Sequence, residues 1–136
     1  PDWVLNASQG RFDLMQSLMS PEVDEMRQKA FRVIKDSQSL GLKQTFTDLK
    51  ELLKGKESAL YVIQCWMQFL RDIMYYKNNI HPLIHADQLE LFEVLKSLPE
   101  EKIFSLFEIA TQVEKDIYGN VDRVLAFENW TLELTQ

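Results

Sequence analysis

The chain has 136 residues and carries 15 Lys and Arg against 21 Asp and Glu, a net charge of −6. That length suits one domain able to bury its own core, and the acidic balance argues against a protein that grips nucleic acid through a basic stripe. Four Gly and four Pro are too few breakers for a many-turned β fold, so long helices are expected.

The opening, residues 1–9, with Trp3, Val4, Leu5 and Ala7, reads as the tail of a helix stopped at Gly10. A short helix is expected over 11–19, with Phe12, Leu14, Met15 and Leu18 apolar. The chain begins on Pro1, so it is expected to be a piece of a longer protein. Ser20-Pro21-Glu22 is a strong helix start. Ser20 can cap free backbone N–H groups, Pro21 suits the first turn, and Glu22, Asp24 and Glu25 favour the positive helix end. Val23, Met26, Ala30, Val33 and Ile34 then share one face. That helix runs out at Leu40-Gly41. Leu42, Phe46, Leu49 and Leu53 form the next stripe, ending at Lys54-Gly55-Lys56.

Residues 57–77 are expected to be the central helix. Its apolar side chains, among them Leu60, Ile63, Trp66, Phe69, Leu70 and Ile73, fill more than half the circumference, so it should pack on several sides as a hub. Tyr61, Gln64, Gln68, Arg71, Asp72 and Tyr75 make up the remaining polar strip. Residues 78–86 read as a loop, because Pro82 blocks a helix. Asp87 should cap a shorter helix reaching Leu98. Pro99 should start a long amphipathic helix with Ile103, Leu106, Phe107, Ala110, Val113 and Ile117 on one face and Phe104 off it. Gly119 and Asn120 stop it, and a last helix starts near Asp122. The expected architecture is all-α, a compact bundle of about six to seven helices in a single domain over 1–136.

The lone cysteine, Cys65, fits a reducing cytoplasmic compartment. The apolar stretch over 59–73 is broken by Gln64, Gln68, Arg71 and Asp72, so no membrane span is expected. Cys65 lies on the apolar arc of the hub and reads as an inert thiol rather than a nucleophile. His81 and His85 are four apart, but Pro82 disfavours the helix that would align them as metal ligands, and they read as solvated loop side chains. The carboxylates at 22–25 and 100–101 sit at helix starts, where negative charge is favourable anyway. Gly55-Lys56 lacks the rest of a phosphate loop. No catalytic residue, metal site, cofactor or small-molecule ligand is therefore expected.

The terminal helix has two apolar sides. Val121, Val124, Leu125 and Leu132 lie on one, Phe127, Trp130 and Leu134 on nearly the opposite one. Either both are internal or one docks on a partner chain. Because large aromatics are enriched at interface centres, Phe104, Phe127, Trp130 and Leu134 are the candidate partner interface.

The run Asn120-Val121-Asp122-Arg123-Val124-Leu125-Ala126-Phe127-Glu128-Asn129-Trp130-Thr131-Leu132-Glu133-Leu134 is one of three segments that carry a family resemblance: it is similar to the last helix of the delta-prime family of clamp-loader subunits of bacterial DNA polymerase III. The hub run Trp66-Met67-Gln68-Phe69-Leu70-Arg71-Asp72, followed by Met74-Tyr75-Tyr76-Lys77, is similar to its helix bearing a tryptophan and an Arg-Asp pair. Ala7-Ser8-Gln9-Gly10-Arg11 looks like the boundary between the ATPase-like part and the C-terminal helical domain. Phe127, Trp130 and Thr131 depart from the family, which has smaller aliphatics at the first two positions and an apolar residue at the third. The related tau/gamma subunit has a similar domain and stays open as an assignment.

The resemblance implies a collar domain that holds clamp-loader subunits in a ring during DNA replication. Its partners would be the tau/gamma and delta subunits, and AAA+-type domains would precede it. This domain would carry no chemistry, contact no nucleic acid and bind no membrane, although the parent complex resembles a DNA-directed DNA polymerase. The competing expectation is a helical ligand-binding or effector domain of a regulator, with a closed apolar pocket lined by residues such as Trp66, Met67 and Met74.

Overall fold

The computed structural model describes residues 21–39, 42–119 and 122–135. Six α-helices follow one another: α1 Pro21–Ser39, α2 Leu42–Leu52, α3 Lys56–Lys77, α4 Leu89–Leu95, α5 Glu100–Tyr118 and α6 Arg123–Thr135, with a 3₁₀ turn over Ala86–Gln88 before α4. There is no strand among the described residues, and the expected all-α bundle is what forms. The expectations for residues 1–20, for Leu40-Gly41 and for Asn120-Val121 fall outside the described residues.

The hub is α3. Ala59, Val62, Ile63, Cys65, Trp66, Phe69, Leu70 and Ile73 are all buried on it. It packs on α1, α2, α4 and α5, and Trp66 reaches α6. The neighbours bury most of the expected stripes, with Phe31 added on α1 and with Val23, Met26 and Phe107 only half-buried. Ala30, Phe31, Val33 and Ile34 are buried on α1, and Leu49 on α2 with Leu53 just beyond it. From α5 come Ile103, Leu106, Ala110, Val113 and Ile117. Burying large aliphatic and aromatic side chains contributes about 1.5–3 kcal/mol each, so this shared core supplies most of the driving force.

Local chemistry sets the helix ends. After α3, the Asn79 backbone turns left-handed at φ 57°, a conformation Asn tolerates better than most residues. Asn79 N–H donates to Tyr76 O and Ile80 N–H to Tyr75 O, the paired bonds of a Schellman stop. Pro99 lies just outside α5 in extended conformation, and Gly119 closes that helix through its N–H to Lys115 O. At α6 the Asp122 carboxylate accepts the N–H groups of Val124 and Leu125, satisfying two free donors of the first turn.

One boundary differs from expectation. The helix after the loop ends at Leu95, not Leu98, and Asp87 does not cap it. Asp87 lies in the preceding 3₁₀ turn, where its carboxylate is drawn to Arg27 of α1.

Candidate interaction surface

Phe127 and Trp130 lie at the centre of the fold. Trp130 is 1% exposed and Phe127 0%. The Trp130 ring stacks on Trp66 with centroids 4.3 Å apart and planes 21° from parallel, while Phe127 meets Trp66 edge-on at 5.2 Å. The indole N–H of Trp130 donates to Leu106 O at 3.0 Å, and that of Trp66 to Ala30 O at 3.0 Å. The two tryptophans thus join α1, α3, α5 and α6 with both polar tips satisfied. Leu134 is also buried. These three candidate interface residues are therefore internal, and the expectation that they face a partner is corrected. Thr131 takes its place in this buried face because its hydroxyl donates to Phe127 O, one turn back. The other side of α6 is the more open one: Leu125 is exposed and Val124 and Leu132 are half-buried.

Phe104 is the candidate that reaches solvent. It is 57% exposed on the outer face of α5, with Glu100, Glu101, Glu108 and Thr111 exposed around it. Tyr118 is also exposed, at the far end of the same helix, but the Lys56 ammonium sits over its ring, 5.3 Å from the centroid. On the flank toward α6, Lys102 and Ser105 both contact Glu133.

The titratable groups inside the fold are held by one another. Arg27 is only 1% exposed. It donates to both carboxylate oxygens of Asp87, at 2.9 and 2.6 Å, and to Asp24 at 3.1 Å. Burial alone would lower the Arg27 guanidinium, but these carboxylates outweigh it and hold it above its ordinary value. Asp87 responds in kind: burial would raise its carboxyl, and the Arg27 pairing brings it below the ordinary range. Asp72 is fully buried on α3 and accepts the backbone N–H groups of Ile84 and His85 at 2.8 and 2.7 Å, as well as Arg71. Burial keeps its carboxyl above the ordinary range in spite of those donors.

His81 is exposed, as a solvated loop side chain should be, but His85 is 1% exposed. Its ring lies edge-on against Phe31. Its Nδ1 faces Arg27 at 3.3 Å and its Nε2 faces Gln68 at 2.9 Å. Arginine can only donate, so Nδ1 accepts and Nε2 carries the proton. Burial, followed by the Arg27 charge, pushes the imidazole down to about 3. The solvated reading of His85 is corrected: it is a neutral structural side chain between α1 and α3. Burial pushes the Cys65 thiol up to about 12, which leaves it un-ionised at neutral pH. Among the described residues no group of three or more His, Cys, Asp or Glu could hold a metal ion.

Sequence reasoning missed Arg27, although a signal existed. Arg27 falls on the same face as Ala30 and Ile34, so a charge on an apolar stripe announced a buried partner. A cleft of about 400 Å3 between α1 and α4 is floored by Phe31 and Leu91 and edged by Arg32, Lys35, Asp87 and Glu90. It does not involve Trp66, Met67 or Met74.

No helix among the described residues is long and apolar enough to cross a membrane. No family model, curated protein or solved structure matches this chain.

Proposed function

We propose that the chain is an assembly domain of the collar type from a bacterial DNA polymerase III clamp loader, delta-prime in kind, and that it works by binding the helical domains of the tau/gamma and delta subunits. The family assignment rests on the resemblance of the segments alone, and Phe127 and Trp130 are departures from it; the observation that supports an assembly role is the rigid joining of the hub run to the terminal run. The hub run beginning at Trp66 and the terminal run containing Phe127 and Trp130 are far apart in sequence, yet they meet ring to ring. A collar element has to be stiff, because it transmits the position of one subunit to the next. A terminal helix locked to the hub by stacked indoles meets that need. The internal spending of Arg27, Asp72, His85 and Cys65 further supports a role in holding rather than reacting.

Ring assemblies use head-to-tail contacts, so two different faces should engage neighbours. Among the described residues, the outer face of α5 around Phe104 and the open side of α6 around Leu125 offer two such faces. The test is co-elution on a sizing column with the tau/gamma collar domain of the source bacterium. A stable heteromeric peak is expected. Separate peaks at micromolar concentration, with both domains folded, would remove the assignment.

A further inference from the structure

The outer face of α5 has a chemistry that selects what can cover it. Glu100, Phe104, Glu108 and Thr111 are spaced four, four and three residues apart, so they form one surface row, and Glu101 adjoins Phe104 one turn back. All five are exposed. Among the described residues, Glu100, Glu101 and Glu108 enter no ion pair. The nearest cation in sequence, Lys102, is turned away onto Glu133 at 3.3 Å. The row therefore presents one large apolar side chain inside a collar of three unneutralised carboxylates.

We infer that this face docks a basic segment of a different protein chain, one that offers an apolar pocket for Phe104 ringed by Lys or Arg. Charge complementarity decides among the occupants. A second copy using the same face would oppose its own glutamates, since an isologous contact pairs a patch with itself. Anionic lipid and nucleic-acid phosphate are repelled by the same three carboxylates. A basic segment gains on both counts, because desolvating Phe104 supplies the anchor and the surrounding charges set orientation and speed of encounter. Tyr118, at the far end of the helix, is less suited to anchor because Lys56 already covers one side of its ring. This inference deepens the assembly reading but rests only on the premise that the chain docks other chains, not on which machine it belongs to.

The test uses the full chain, immobilised, and a displayed library of random peptides of about twelve residues, long enough for three helical turns. Phe104→Ala and the triple variant Glu100→Lys, Glu101→Lys, Glu108→Lys serve as parallel baits, each checked for unchanged helicity. Peptides enriched on the wild-type chain are expected to carry net positive charge and at least one large apolar residue. They should bind Phe104→Ala at least about tenfold more weakly, and the triple variant should enrich acidic peptides instead. Enrichment of neutral or acidic peptides on the wild type, equal binding to Phe104→Ala, or no enrichment over bare support would overturn the inference. So would a dimer in sedimentation that Phe104→Ala abolishes, because it would give the face to a second copy. Loss of co-elution with the tau/gamma domain would leave this inference standing.

Discussion

Replacing Trp130 with alanine separates a core residue from an interface residue. The substitution removes a ring that is 1% exposed, its stack on Trp66 at 4.3 Å and its hydrogen bond to Leu106 O. A buried Trp→Ala change costs about 3–5 kcal/mol through lost burial and the cavity left behind. The ring pair and the hydrogen bond place Trp130 at the upper end, about 4–5 kcal/mol. At about 0.05–0.15 kcal/mol per residue, a domain of this length is stable by roughly 7–20 kcal/mol. The variant should therefore lose about a fifth to about seven tenths of its stability. With about 3–5 °C lost per kcal/mol at this size, Tm should fall by about 12–25 °C. Urea unfolding followed by circular dichroism gives the free energy, and calorimetry gives Tm. Phe104→Ala, run beside it, should stay within about 0.5 kcal/mol of the parent. A loss below about 1 kcal/mol for Trp130→Ala, with an unchanged spectrum, would refute the core placement and return Trp130 to the surface.

Asp72→Ala should destabilise by about 3–5 kcal/mol, because it leaves the N–H groups of Ile84 and His85 buried without an acceptor; urea midpoints with unchanged m-values would check it. Acid should loosen the fold before the ordinary carboxylate range is reached. The folded-state pKa of His85 lies near 3, below the ordinary 6.5, so its contribution is complete above pH 6.5 and is lost as pH falls toward 3. The loss is of order 3–5 kcal/mol. Asp87, held low, adds to the loss at the acid end, whereas Asp72, held high, works in the opposite sense. A stability–pH profile of the parent should thus slope down below pH 6.5, and His85→Gln should flatten it; parallel profiles would contradict the assignment. Cys65, buried with its thiol pushed up to about 12, should resist a thiol reagent at pH 8 until the chain unfolds. Labelling at the rate of a free thiol in native buffer would show the site to be open.

Much of the fold can be read from the spacing of apolar residues. The hub, the long helix after Pro99 and the all-α class follow from stripes that return every three or four positions. The terminal helix was harder, because its two apolar sides look equivalent on a helical wheel. Which side is internal depends on where Trp66 sits, and that is a tertiary fact. His85 was misread for a similar reason. A loop histidine is usually solvated, and nothing local announces that Asp72, twelve and thirteen positions back, captures the N–H groups of Ile84 and His85 and draws the loop inward. The same holds for Asp87, whose place before a helix suggested a cap while Arg27, sixty positions earlier, claimed its carboxylate. Phe104 was legible on its own terms, since it falls off an otherwise regular apolar face.

The most direct test of the proposed assembly role is sedimentation velocity of an equimolar mixture of this chain and a tau/gamma-type collar domain from the same source organism, at micromolar concentration and moderate salt. The account predicts a single heteromeric boundary, heavier than either component, that dissociates when Phe104→Ala is combined with Leu125→Glu. Two boundaries at the positions of the separate components, unchanged by those substitutions, would contradict it.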